Sequence, residues 1–227
     1  MKQLGLKITG KIPLAVALLL ATGTLAQADS ISFTNSIALT SSPWGPDSLS
    51  IPQFDTSGGS FDLTNISFSL YGTMLADMQA TNTASVNRTI RLYTMDGEIT
   101  AYLAGDPLVI TYPQAVAVSG HPTLTLAAHT SGTWAGVTGD DTQTASYDSS
   151  WGSFNNFIGP GTVVGLTMDS ASYVTFSADS GVNSSSRALS GAQLIVIYDY
   201  TVVPEPSSAL FLGLGGLALV WCRRFTR

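Results

Sequence analysis

The sequence predicts an all-β fold, a β-sandwich of jelly-roll type, flanked by an N-terminal signal helix and a C-terminal transmembrane helix. Three observations predict the sandwich: short runs of alternating apolar and polar residues, frequent turn signals between them, and no long helical pattern between residues 29 and 203. Many short strands with closely spaced turns are typical of sandwiches. These 175 residues are enough for one hydrophobic core.

The strands of the middle domain are predicted from their alternation. Residues 66–70 place Ile66, Phe68 and Leu70 on one face, whereas residues 194–200 carry apolar side chains on both faces, as a central strand does. The other predicted strands contain Ile31 and Phe33; Leu108, Ile110 and Tyr112; Leu124, Leu126 and Ala128; and Val164, Leu166 and Met168. Asp96-Gly97 is interpreted as a turn, and residues 131–150 and 179–186 as mobile loops.

Charge and cysteine content exclude several classes of function. Residues 29–203 contain three arginines, no lysine and fourteen acidic residues, which gives a formal charge of −11. Nucleic acid is therefore not an expected partner, because its binding depends on neutralising phosphates. The single cysteine, Cys222, lies outside this domain, so disulfides and cysteine-ligated metal sites within the domain are excluded.

The first 28 residues have the pattern of a secretory signal peptide. Three lysines precede a short apolar core, and Ala26-Gln27-Ala28 forms an A-x-A cleavage box. The alternative is a permanent anchor, but the apolar core is shorter than the ~20 residues that a spanning helix needs. We therefore expect signal peptidase to cleave after Ala28 and the mature chain to begin at Asp29.

The C-terminal segment, residues 203–227, has three parts in order. Val203-Pro204-Glu205-Pro206-Ser207 is followed by an apolar stretch that begins at Ala209, and a basic cluster of Arg223, Arg224 and Arg227 closes the chain. The apolar stretch is short for a membrane span, and the positive-inside rule keeps the basic cluster in the cytoplasm. This pattern indicates a transient anchor in the inner membrane, with the domain of residues 29–202 exported.

These three parts together resemble the PEP-CTERM sorting signal of Gram-negative bacteria that produce exopolysaccharide. The resemblance implies recognition by an exosortase, a membrane-embedded cysteine protease or transpeptidase, with cleavage near Pro204, Glu205 and Pro206. The two prolines disfavour regular pairing and hold such a segment extended. The alternative is an ordinary linker followed by a tail anchor.

The middle domain also resembles the choice-of-anchor E family. The resemblance rests on residues 51–55 followed by a glycine turn, Phe61 and the strand 66–70 ending at Gly72; on residues 157–163; and on the final strand, 195–200. Residues 56–60 depart from the turn that is more usual in the family. The resemblance implies an exported β domain associated with surface anchoring and supplies no chemistry.

No catalytic pattern is recognised in the domain, and no cofactor or metal is predicted. His121 and His129 are the two histidines, and both are interpreted as loop residues. Asp140, Asp141 and Asp148 offer carboxylates for glycoside hydrolysis or calcium binding. A solvated acidic loop is the alternative that we prefer, because nothing local suggests a desolvated carboxyl group.

Two functions follow from the sequence. The first is a non-catalytic envelope or extracellular-matrix protein, delivered to the cell surface or matrix and associated with exopolysaccharide. The second is a carbohydrate-binding module or weak glycoside hydrolase, for which Trp44, Trp134 and Trp151 are the candidates for stacking on sugar rings. Packing of these tryptophans against the sandwich or its loops is the alternative that we prefer, and it favours the first function.

Overall fold

The computed structural model describes residues 28–120 and 122–203, which fold into two antiparallel β-sheets. The all-β class and the sandwich are thereby confirmed, whereas the predicted signal and transmembrane helices lie outside the described residues. Two short 3-10 turns, Ser57–Gly59 and Phe154–Phe157, lie in the connections. The strands are β1 (Ala28–Ser41), β2 (Trp44–Ser48), β3 (Phe61–Asn82), β4 (Arg88–Leu103), β5 (Asp106–Thr111), β6 (Gln114–Val118), β7 (Leu124–Leu126), β8 (Ser131–Asp148), β9 (Leu166–Ala178) and β10 (Val182–Val202).

The strand order is that of a jelly roll. One sheet has the order β1-β10-β3-β8, and the other has the order β2-β9-β4-β5. Strands β5, β6 and β7 pair with successive stretches of β4, so together they act as one interrupted strand. With that strand counted once, two sheets of four strands face each other, as two Greek keys produce.

The space between the sheets is filled by two hydrophobic clusters. The larger contains Ile66, Phe68 and Leu70 from β3, together with inward residues of β10. The smaller surrounds Tyr93 of β4, whose hydroxyl donates to the carbonyl of Ser185 at 2.6 Å across the sandwich. Burial raises the pKa of the Tyr93 hydroxyl. The alternating strand predicted at 66–70 therefore buries the face that its sequence indicates.

Two predictions from turn and loop composition are wrong. Asp96-Gly97 lies inside β4 rather than in a turn, with Asp96 opposite Tyr173 and Gly97 opposite Ser172 of β9. Residues 131–148 form β8, paired with β3, and residues 182–186 are the first part of β10. Their Ser, Thr and Gly content reflects strands with a solvent-facing side rather than mobile loops. Asp140, Asp141 and Asp148 consequently lie on a strand, not in an acidic loop.

Glycines allow one side of the sandwich to close. Gln114, the first residue of β6, lies so near β8 that a Cβ atom on Gly139 would be 1.9 Å from the Gln114 carbonyl oxygen. On the other flank, the Gly97 amide donates to the Pro113 carbonyl at 2.8 Å. A side chain at Gly139 would separate two backbones that now touch, and one at Gly97 would meet the side chains of Met74 and Pro113. This explains why glycine interrupts two strands that are otherwise continuous.

Asp141 adds a charged link across the same closed side. Its carboxylate accepts the backbone N–H of Tyr112 at 2.9 Å, and this bond holds the pKa of Asp141 below its ordinary value. A carboxyl group with a lowered pKa in the folded state stabilises the fold above its unfolded pKa of about 4. That contribution is lost as the pH falls through the lower folded value.

We expect Asp141→Asn to reduce stability at neutral pH but not at strongly acidic pH. The change removes the charge and leaves an amide oxygen that can still accept the Tyr112 amide. Urea unfolding followed from pH 7 down to about pH 2 measures the difference from the natural chain. Asp140→Asn is the matched control, because Asp140 is the exposed neighbour. A deficit in D141N that stays constant across this pH range would contradict the role of the charge.

Candidate functional site

Both ends of the described chain leave the sandwich at the same pole. Ala28 at the start of β1 lies opposite Thr201 of β10, and Val202 lies opposite Phe61 of β3. The amide of Val203 donates to the carbonyl of Ser60 at 2.9 Å, so the chain remains fixed up to this residue. We call this end of the sandwich, formed by Ala28, Phe61 and residues 200–203, the sorting pole.

The predicted processing sites fall on either side of the sorting pole. Ala28 and Asp29 are the first two residues of β1, whereas Ala26 lies outside the described residues. Val203 is the last described residue of the predicted sorting motif. The rest of that motif and the basic cluster also lie outside the described residues: Pro204, Glu205, Pro206, Ser207, Arg223, Arg224 and Arg227. Cleavage at Asp29 would leave all but the first residue of β1 in place.

Aromatic side chains pack beneath the sorting pole. The ring of Tyr200 lies 5.2 Å from that of Phe54 and 5.3 Å from that of Phe61, measured between centroids. With Ile31 and Phe33 they line an open cavity of about 240 Å³. Burial and the nearby Asp29 carboxylate raise the pKa of the Tyr200 hydroxyl. These contacts brace the last strand just before the chain leaves the fold.

The three candidate sugar-stacking tryptophans are half-buried and lie in different parts of the sandwich. Trp44 of β2 donates its Nε1 proton to the Ser190 hydroxyl at 2.7 Å. Trp134 of β8 packs edge-on against Tyr93, with centroids 5.8 Å apart. Trp151 stacks on Tyr147 at 4.3 Å and contacts the larger cluster. Each ring thus has a packing partner within the fold, and their role in sugar binding stays a prediction.

Among the described residues, Asp169 has a partly buried carboxyl group with a raised pKa, which the sequence did not indicate. Asp169 of β9 lies opposite Thr100, and burial raises its pKa, partly offset by a hydrogen bond with Tyr102. Because the group lies within a strand, no sequence motif marks it. By contrast, the pKa of Asp148 is lowered by hydrogen bonds from Ser150. Glycoside hydrolysis needs two carboxyl groups placed on either side of one bond, and a raised pKa at Asp169 alone does not make such a pair.

The remaining predicted chemical groups are dispersed. His129 is exposed in the turn before β8, and His121 lies outside the described residues. Within residues 28–120 and 122–203, no three His, Cys, Asp or Glu side chains are grouped so as to hold a metal ion. In the same part of the chain, no helix is long and apolar enough to cross a membrane.

A polar cleft lies on the outer face of the sheet that contains β3 and β10. It has a volume of about 290 Å³ and is lined mainly by hydrogen-bonding side chains, with Arg187 of β10 opposite Asp77 of β3 in the strand register. Gln79, Thr133, Ser185 and Ser186 complete the polar part of its lining. Amides, hydroxyls and a guanidinium group are suitable partners for neutral hydroxylated ligands.

Comparison with protein families identifies the C-terminal segment. Residues 202–224 match the PEP-CTERM protein-sorting motif. The resemblance seen in the sequence is therefore confirmed for the sorting motif, which implies export, sorting near the membrane and processing by exosortase. The match begins at Val202, the last residue of β10, so the motif starts where the sandwich ends.

Comparisons of the whole chain add no family assignment. No curated protein matches the sequence. Among solved structures, the chain is similar to the protein of T=1 particles derived from infectious bursal virus, with 12% identity, 81% of this chain and 42% of that chain covered, and a TM-score of 0.24. It is also similar to the protein of the infectious bursal disease virus Gt strain, with 10% identity, 81% and 43% covered, and a TM-score of 0.14. The chain thus spans less than half the length of either viral protein.

Proposed function

We propose that this chain is an exported, non-catalytic envelope or extracellular-matrix protein that associates with exopolysaccharide after exosortase processing. The observation that carries the proposal is the position of the sorting motif. It begins at the sorting pole, at the last residue of the last strand of a sandwich whose first strand starts at the predicted signal-peptide cleavage site. The two ends are therefore arranged for export and sorting, with a β domain of the choice-of-anchor type as cargo.

The chain length between the pole and the apolar stretch supports this arrangement. Five residues, 204–208, separate Val203 from Ala209. At ~3.3–3.6 Å per residue, such a segment reaches no further than about 20 Å. Before processing, the sorting pole is thus held close to the inner membrane. Cleavage near Pro204, Glu205 and Pro206 would release the domain without cutting a strand.

The packing of the tryptophans supports a passive role for the domain. Trp44 is bonded to Ser190 and Trp151 is stacked on Tyr147, so these rings stabilise the sandwich itself. The formal charge of −11 repels acidic polymers at low salt. Association with an acidic matrix is therefore expected to need bridging divalent cations.

The experiment that tests this proposal uses the protein and the cell's own exopolysaccharide, with calcium and with a chelator. We expect no release of reducing sugar ends and binding that the chelator reduces. Released reducing ends would replace the passive role with hydrolysis. Binding unaffected by salt or chelator would instead discard the cation bridge and favour direct sugar contact.

A second function, carbohydrate binding, is favoured by the polar cleft. Its lining by Asp77, Gln79 and Arg187 suits neutral sugars better than acidic ones, because the domain as a whole is acidic. Gln79→Ala in the same binding experiment separates the two functions. Loss of salt-independent binding in that variant assigns the interaction to the cleft, and unchanged binding assigns it elsewhere.

A further inference from the structure

The outer edge of β1 lacks a neighbouring strand. Among the described residues, β1 pairs with β10 alone, with a register shift between Ile37 and Thr40. Its sequence contains one charged residue, Asp29 at the end, and no proline. A strand whose outer backbone groups are unpaired, and which carries almost no charge, can pair with another strand. Proteins usually block such edges.

The other edges of the sandwich are blocked in these usual ways. Pro46 and Asp47 lie on β2. The edge formed by β5 to β7 is interrupted, with Pro107 within β5 and Pro113 after it. On β8, Gly139 touches the backbone of Gln114. The edge of β1 is thus open where these three edges are protected by proline, charge or a covering segment.

The seven-residue segment 31–37 of β1 reads nearly the same in both directions. Residues 31–37 read Ile-Ser-Phe-Thr-Asn-Ser-Ile, centred on Thr34. When two such strands run antiparallel about Thr34, each Ile31 lies opposite Ile37 of the other copy and each Ser32 opposite Ser36. The central pair is Thr34 with Thr34. Only one pair in the segment, Phe33 with Asn35, joins unlike residues.

The symmetry of the pairing agrees with the faces of the sheet. A two-fold axis perpendicular to the sheet keeps each face on its own side, so inward residues must pair with inward residues. Phe33, Asn35 and Ile37 are the half-buried residues of β1, and the residues between them are exposed. Pairing centred on Thr34 matches odd-numbered residues with odd-numbered ones and satisfies this condition.

The exposure of Ile31 and the distribution of charge both favour a second copy of this chain as the partner of β1. Ile31 is 43% exposed in the single chain, and the pairing would place it beside Ile37 of the second copy. Copies with a charge of −11 repel one another over most of their surface. Along residues 30–38 there is no charged side chain to oppose contact.

We propose that β1 is a self-association edge, at which two copies of this chain pair antiparallel about Thr34 and join their four-stranded sheets into one sheet of eight. The partner is a second copy, because the pairing strand is complementary to itself. The proposal does not depend on the ligand of the domain.

A single cysteine at the centre of the pairing tests the geometry. Directly opposed residues in antiparallel strands have Cα atoms about 4.5–5.5 Å apart, within the range that a disulfide spans. In the full chain carrying Cys222→Ser, purified in detergent and mildly oxidised, Thr34→Cys is expected to give a disulfide-linked dimer. Thr138→Cys, an exposed position on the opposite edge of the same sheet, is the matched control and is expected to stay monomeric.

Opposite charges at the same position test the proposal without a cross-link. Thr34→Lys and Thr34→Asp each place like charges face to face, and each is expected to weaken self-association by about tenfold or more. Mixing the two variants should restore the dimer, measured by sedimentation, and Thr138→Lys should not affect it. Monomeric T34C under oxidation, or a T34K variant that still dimerises like the natural chain, would overturn the proposal.

Discussion

Replacing Gly139 by Ala is expected to destabilise the sandwich by about 3 kcal/mol, the upper part of the range for overpacking. The new Cβ atom would lie 1.9 Å from the Gln114 carbonyl oxygen and 2.2 Å from its carbon. Both are backbone atoms, which cannot rotate away as the end of a side chain can. Strand β8 must therefore separate from the start of β6, which also strains the hydrogen bond from the Tyr112 amide to Asp141.

Urea unfolding of the two matched glycine variants measures this effect. Gly152→Ala is the control, because a Cβ atom there meets nothing within 4 Å. We expect the control to remain within about 0.5 kcal/mol of the natural chain, as exposed substitutions usually do. Equal stability of G139A and G152A would show that the two edges do not touch at this position.

Changing the Pro-Glu-Pro triplet, residues 204–206, is expected to abolish processing by exosortase. With Pro204 and Pro206 replaced by Ala and Glu205 by Gln, the chain loses the residues that define the sorting motif. The unprocessed chain should then remain in the inner membrane with its C-terminal segment attached, while the sandwich stays folded. Immunoblots of membrane and surface fractions measure this shift.

The control for the triplet is Ser208→Ala, a neighbouring change that leaves the motif intact. It should be processed and released like the natural chain. Normal processing of the triplet variant would show that the exosortase does not need these residues. Loss of the protein from all fractions would instead indicate degradation. The protease resistance of the variant's β domain distinguishes degradation from a failure of processing.

Local alternation was sufficient to predict the central strands. Ile66, Phe68 and Leu70 have the two-residue period of a strand with one buried face, and they lie in the first half of β3. The interior position of β10, between β1 and β3, follows from its two apolar faces. The spacing of apolar residues shows whether one or both faces of a strand are buried, so these strands could be predicted without knowledge of tertiary contacts.

Strand β4 was not predicted because its composition is determined by distant neighbours. Asp96-Gly97 is a common turn signal, yet Gly97 is buried against Pro113 and the Asp96 carboxylate accepts the hydroxyl proton of Thr175 at 3.1 Å. The need for glycine at 97 and for an acceptor at 96 arises from Pro113 and Thr175, which are distant in the sequence. Tertiary contacts here override local turn propensity, as they do for glycines wherever backbones approach closely.

Strand β8, at the edge of the sheet that contains β3, also could not be predicted from local sequence. Its residues are mostly small and polar, since one side faces solvent and much of the inner side only has to fill gaps beside β3. The sorting motif, by contrast, was predicted fully from its order of residues. Packing of the tryptophans against the sandwich was expected from the sequence. Their packing partners and the raised pKa of Asp169 could not be predicted, because both depend on which residues the fold brings together.

The measurement that tests the central claim most directly is the mass and location of the chain in cells with and without exosortase. The account predicts a mature chain that begins at Asp29, has lost its C-terminal segment, and is found at the surface or in the matrix when exosortase is present. Without exosortase, the same cells should hold a chain of greater mass in the inner membrane. An intact C-terminal segment on surface protein, or identical location in both cells, would contradict the account.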